Sequence, residues 1–356
     1  MCSIFALLSC NRSSNKSTEE KRQDSTVQHI EPKPLDTTVV DYTNTIPVTM
    51  GYIVSRDTVV VRQAMSEASK AMEKVGYGQS YEVIEQLGDW VAVWSRDRYP
   101  YKGLHQGEER LMIAKRKVFL PKSAIGKMSD LKLYKEDIPI VNLVQIGENE
   151  STYYEHGSIL KEHLSFELVT EQVYMQKKKD AVTLIVRDTL VHRKKEGVLT
   201  LPTAQKNCIF KDSPPEAEES RAVYEYVGHI PSLAQYIVSG SYYESTDYTL
   251  VDMHTGEKTV LMVDFPCFSP DGKHIISLYT NPYEGCEDVE LYRITGQKIE
   301  RVASFSFVHW MAGAEAEDIF FARDNSLYLP VFYNQTFWTE EGQLSKPTQF
   351  MRIIIK

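Results

Sequence analysis

The chain has 356 residues, 42% hydrophobic and 25% charged, ordinary proportions for a globular protein of two or three domains. A formal net charge of -9 and a pI near 5.6 argue against nucleic acid as a main partner, since phosphate binding needs a basic surface. Basic runs at Lys115-Arg116-Lys117, Lys177-Lys178-Lys179 and Arg193-Lys194-Lys195 each sit beside an apolar, strand-like segment and read as solvated turns or edge strands.

The first ten residues end in Ile4-Phe5-Ala6-Leu7-Leu8-Ser9-Cys10, a short apolar run closing on Leu-Leu-Ser-Cys. This resembles the lipobox of bacterial lipoproteins, which implies cleavage before Cys10 and a lipid on its thiol. No Lys or Arg precedes the run, and it is shorter than a usual signal core. A start codon placed too far downstream would account for both departures; a chance apolar run is the competing reading. Residues 11–45 are rich in Ser, Thr, Asn, Glu, Lys and Pro, too polar to offset the entropy of ordering, and are expected to be a disordered tether. Asn11-Arg12-Ser13-Ser14 is not acidic. In lipoproteins of the Bacteroidetes type an acidic cluster there favours outward display, so the resemblance implies a periplasm-facing protein of the cell envelope. No other segment approaches the length of a membrane span, so the body is expected to be soluble and attached only through Cys10.

Residues 50–126 organise the chain. Short apolar strands with period-two spacing alternate with Gly and Asp turns: Val59-Val60-Val61-Arg62, then Tyr81-Glu82-Val83-Ile84, then Gly88-Asp89-Trp90-Val91-Ala92-Val93, and Val118 to Ile125. Val59 and Val61 should share one face, as should Tyr81 and Val83, and then Trp90 and Ala92. The order resembles the bacterial SH3 family, which implies a small closed barrel with Val118 to Ile125 as its closing strand. Between Trp94 and that strand comes Ser95-Arg96-Asp97-Arg98-Tyr99-Pro100-Tyr101-Lys102-Gly103, longer than the family's short turn. In a small barrel the strands are committed to the core, which leaves loops for ligands. Tyr99, Tyr101, Arg96 and Arg98 are therefore the candidate ligand-binding residues, suited to a cell-wall stem peptide or sugar or an acidic protein loop. A solvated insertion covering one end of the barrel is the plainer alternative.

Residues 127–165 read as a connecting segment with a strand at 138–146; His156 and His163 would share a face if the stretch were helical. From 166 to 356 the chain repeats loosely, with a period of roughly 38 to 45 residues, the size of a four-stranded propeller blade. Phe268-Ser269-Pro270-Asp271-Gly272-Lys273 resembles the blade turn of TolB and WD40-type propellers. Units are expected at 234–262, 268–303 and 318–330, with a weaker one at 166–201 around Val182 to Val186. An open stack of β-meanders or a sandwich competes with a closed ring. The fold class is thus mainly β: an SH3-like barrel followed by a propeller-like or β-meander region.

Cys2 and Cys10 aside, Cys208, Cys267 and Cys286 are an odd set, so at least one thiol should be free. No G-x-S-x-G elbow, H-E-x-x-H, Walker loop, calcium loop or dinucleotide fingerprint occurs, so no catalytic residue, metal ligand or cofactor is assigned. Two functions remain. One is a lipid-anchored, non-enzymatic module binding peptidoglycan or an envelope protein; the other is an envelope hydrolase with a site assembled in the C-terminal β region.

Overall fold

The computed structural model describes residues 39–40, 49–105, 108–153, 159–214, 220–243, 245–261, 264–313 and 316–356. Cys10 and nearly all of the tether lie outside them. Strands predominate and every ladder is antiparallel, so the chain is mainly β.

The N-terminal sheet runs in the order Ala71–Val75, Val59–Arg62, Glu108–Pro121, Trp90–Trp94, Ser80–Leu87, Thr49–Ile53, Ile125–Gly126. Val59, Val61, Tyr81 and Val83 point into one core with Ile53, Val75, Val118 and Leu120, as their alternation predicts. The expected closed barrel is not formed. Among the described residues no ladder joins Ala71–Val75 to Ile125–Gly126. The first carries Glu73 and Lys74, edge charges that discourage further pairing, and the second is two residues long. One facing is also corrected. Val91 and Val93 enter this core; Trp90 is only half-buried, and Ala92 is buried but on the opposite face. The Gly88-Asp89 turn, with Gly88 at φ +62°, pairs Leu87 with Trp90, and a bulge between Val83 and Glu85 resets the register so that Val93 meets Val83.

The segment after Trp94 is a hairpin rather than a long loop. Tyr99–His105 pairs with the first half of Glu108–Pro121, Tyr99 opposite Ala114 and Tyr101 opposite Met112. Val39–Val40 adds to the same long strand at Lys115 and Arg116. Together these residues form a compact unit of their own.

The C-terminal region is a stack of layers. Ala222–Ile230, Gln235–Tyr242, Thr246–Asp252 and Lys258–Leu261 make a four-stranded meander. Cys267–Phe268, His274–Asn281, Cys286–Thr295 and Lys298–Phe307 make a second, widened by Val141–Ile146 and Thr152–Tyr153. The third is built on Phe320–Ala322, Ser326–Tyr333 and Gln349–Ile355, with Leu164–Val169 and Ala181–Val182 at its edges. The middle sheet is covered on both faces. Ile276, Leu278, Val289 and Leu291 pack on Leu327, Leu329, Met351 and Ile353 of the third sheet. Ile275, Tyr292 and Ile294 pack on Ile230, Ile237 and Leu250 of the first. Two buried faces explain the nearly unbroken apolar run His274-Ile275-Ile276-Ser277-Leu278.

The stack is capped rather than continued. A ladder of Val198–Leu201 with Cys208–Lys211 covers the first meander through Leu199, Leu201 and Phe210. The helix Glu171–Lys178, capped by the Thr170 hydroxyl, lays Tyr174 on Phe320, Tyr328 and Phe350 of the third sheet. The weak fourth unit expected at 166–201 is therefore not a sheet of its own: it supplies two edge strands of the third sheet, that helix and half of the covering ladder. The helix near His163 is only Leu160–His163, and His156 lies outside the described residues. No helix among the described residues is long and apolar enough to cross a membrane.

Candidate functional site

A cleft of roughly 330 Å³ opens where the middle sheet meets the excursion between the last two strands of the chain. One wall comes from Asp264, Phe265 and Cys267, then Leu278 and Thr280 of the strand His274–Asn281; the other comes from Gly313, Ile319, Phe337, Trp338 and Leu344. The excursion is held by its own bonds. Asn334 donates from Nδ2 to the carbonyls of Gly285 and Val308 at 3.2 and 2.9 Å, and the Ser345 N–H donates to the Phe337 carbonyl at 2.9 Å. Phe337 is buried edge-to-face against Phe332, at 5.4 Å between centroids. Trp338 follows it and is 43% exposed, an aromatic face left at the rim. Exposed Trp with a fixed backbone is a common ligand platform, because its large face binds with little loss of side-chain entropy.

Behind Thr280 lies the least expected group in the molecule. Glu287 faces Thr280 across the ladder and is fully buried, on the sheet face that also carries Val289 and Leu291. One carboxyl oxygen, Oε2, accepts from the Thr280 hydroxyl at 2.9 Å and from the Ala312 N–H at 2.8 Å. The other, Oε1, has no partner among the described residues. Burial pushes this carboxyl up to about 8 against the two hydrogen bonds that favour its ionised form, and the nearby Asp264 and Asp288 add to the rise. Burial also raises Asp264, whose side chain accepts from the Phe265 N–H at 2.6 Å. Its backbone carbonyl is fixed by the Ser277 hydroxyl at 2.9 Å. Cys267, on the same wall, is pushed up to about 12 by burial and then by Asp264, so its thiol is a poor nucleophile.

A second polar cluster sits on the first meander. Asp188 accepts from the Tyr226 hydroxyl at 2.7 Å and lies 3.2 Å from His229 Nδ1. Burial alone would raise Asp188, but the bonds from Tyr226 and His229 hold it below the usual carboxylate range. The Tyr226 phenol is pushed far upward by burial and by Asp188, so the cluster lacks an activated nucleophile. Among the described residues, no group of three or more His, Cys, Asp or Glu side chains has metal-holding geometry.

The residues chosen from the sequence are distributed differently. Arg96 belongs with the N-terminal sheet, where its guanidinium lies 3.6 Å from Glu73, which also accepts from the Tyr81 hydroxyl at 3.0 Å. Arg98, Tyr99 and Tyr101 belong to the hairpin unit; Arg98 is exposed. None of the four lines the cleft. Cys208, Cys267 and Cys286 are all free thiols. The cleft residues went unassigned in the sequence, although Glu287 carried a signal. It occupies the first of three alternating positions, Glu287, Val289 and Leu291, on what is otherwise an apolar face.

Comparison with known proteins gives no match: no family model, no curated protein and no solved structure aligns with the chain.

Proposed function

We propose that the chain is a lipid-anchored protein of the cell envelope that acts as a non-enzymatic binding module, with its ligand in the cleft at Trp338. The ligand is a cell-wall peptide or glycan, or a segment of an envelope protein. The observation that carries this reading is the cleft itself: a fixed aromatic rim, an apolar wall and only a few polar groups, the usual composition of a ligand site. The lipobox-like Cys10, the polar tether and the resemblance of residues 50–126 to bacterial SH3 domains support an envelope setting with Cys10 acylated and the body facing the periplasm. The Tyr99 to Tyr101 hairpin, with Arg96 and Arg98 just before it in the chain, offers a second contact surface under the same reading.

One observation favours an envelope hydrolase as the second reading. Asp264 lines the cleft and Glu287 lies buried behind its Thr280, two carboxyls with raised proton affinity, a pattern found in general acid catalysis. Dye-labelled peptidoglycan sacculi separate the two readings. The binding module sediments with sacculi and releases no soluble dye over hours. Release of dye that stops in Glu287→Gln identifies the hydrolase.

A further inference from the structure

The charged and hydroxyl groups in the cleft wall are hydrogen-bond acceptors. The Asp264 carboxyl has no cationic partner among the described residues, and no Lys, Arg or His lines the cleft. The Thr280 hydroxyl has one proton, and it is committed to Glu287, so toward the cleft Thr280 can only accept. Behind that hydroxyl, Glu287 Oε1 is buried with no hydrogen-bond partner among the described residues. An anion entering this site would meet the Asp264 carboxyl with no cation in the lining to offset it. A neutral apolar ligand would fill the wall but leave the Asp264 carboxylate desolvated and unpaired, which costs free energy.

We propose that the cleft binds a primary ammonium group on an apolar stem, the ammonium donating to the Asp264 carboxylate and the Thr280 hydroxyl. The stem lies along Leu278, Phe337 and Trp338. Lysine-like side chains and free peptide amino termini have this chemistry: three donors on a compact cation that ends an apolar chain. Trp338 contributes through its face, which attracts a passing cation and packs the methylenes. The proposal rests on the cleft being a binding site, and it specifies which ligand group the site selects. A cation bound at the Thr280 hydroxyl also favours the ionised form of Glu287.

The test is calorimetric titration of the full chain with hexylamine, hexanol and hexanoate at pH 7, with sacculus sedimentation run in parallel. Hexylamine should bind at least tenfold tighter than hexanol, and hexanoate should give no measurable heat. Asp264→Asn should weaken hexylamine roughly tenfold while its melting temperature stays near wild type. Thr280→Val gives the same readout should Asp264→Asn fold poorly. Equal binding of hexanol and hexylamine, tighter hexanoate, or no hexylamine binding overturns the proposal. Sacculi that sediment the wild type while hexylamine fails to bind would leave the envelope reading standing and remove the ammonium site. Hexylamine binding without sacculus binding would do the reverse.

Discussion

Arg56 and Asp137 meet fork to fork, Nη2 on Oδ1 at 2.8 Å and Nη1 on Oδ2 at 3.0 Å, across 81 residues of chain. The guanidinium also lies 4.8 Å from the centre of the Tyr77 ring and 4.5 Å from that of Tyr134. Asp137 is buried, while the Arg56 side chain is 38% exposed. This contact ties the N-terminal sheet to the segment that leads into the β stack. The Tyr77 hydroxyl adds two bonds to the Lys132 backbone, at 2.7 and 2.9 Å.

Removing the Arg56 side chain should therefore loosen the joint. Arg56→Ala leaves Asp137 buried with the Tyr134 N–H as its remaining donor, and it loses both ring contacts. Exposure of the arginine screens part of the effect, so we expect a loss of about 1–2 kcal/mol in urea unfolding. Arg56→Lys should recover less than half, because an ammonium cannot bridge both carboxyl oxygens. Equal stability of wild type and Arg56→Ala would show that the joint rests on packing alone.

Glu287 makes stability depend on pH in a defined direction. Its folded-state proton affinity is raised, to about 8 from an ordinary 4.5. Below the ordinary value it is protonated in both states and costs nothing by ionisation. As pH rises toward about 8 the unfolded chain gives up this proton while the folded chain retains it, so stability falls. Glu287→Gln removes that dependence. Melting curves from pH 5 to 9 should show the variant gaining on the wild type up to about pH 8 and holding a constant margin above it. A margin independent of pH would mean that Glu287 is ionised throughout.

The three thiols of the folded body should resist alkylation. Burial raises Cys208, and it pushes Cys267 and Cys286 to about 12, with neighbouring acids adding to the last two. Iodoacetamide at pH 8 should modify none of Cys208, Cys267 and Cys286 in native protein within minutes, and all three after unfolding in urea. Mass spectrometry of the digested protein reads this directly. Rapid labelling of Cys267 in the native state would mean that the cleft wall opens.

Much of the fold was legible because strand alternation has a simple cause. Val59, Val61, Tyr81 and Val83 reach the core that their spacing predicts, and the units around Tyr248 and Leu291 are the meanders expected there. Two kinds of feature were not legible. Trp90 was placed on the wrong face because a bulge at Val83/Glu85 shifts the register by an amount that local pattern does not encode. The stretch Val182 to Val186 reads as a strand by composition, but Ala181–Val182 joins a ladder and Val186 makes a single bridge to His229, while Leu184 and Ile185 are drawn into the packing between the first two meanders. The cleft was missed for a related reason. Asp264, Thr280 and Trp338 come from three distant segments, and only tertiary packing assembles them. Glu287 alone broke the local pattern. A carboxyl on an apolar face is the kind of inconsistency that marks functional or strained sites.

Anchoring has its own test. Cys10→Ala, expressed with a complete export signal, should move from the membrane fraction to the soluble fraction and keep its signal unprocessed. Retention in the membrane at wild-type level would contradict lipidation at Cys10.

The most direct measurement is co-sedimentation with purified peptidoglycan sacculi, comparing wild type, Trp338→Ala, and the double substitution Tyr99→Ala/Tyr101→Ala. Trp338 is exposed at the rim, so its truncation should leave the melting temperature within a few degrees of wild type. The account predicts that wild type sediments, that Trp338→Ala loses at least tenfold in apparent affinity, and that the hairpin variant loses less. Equal sedimentation of wild type and Trp338→Ala, or failure of the wild type to sediment, would contradict it.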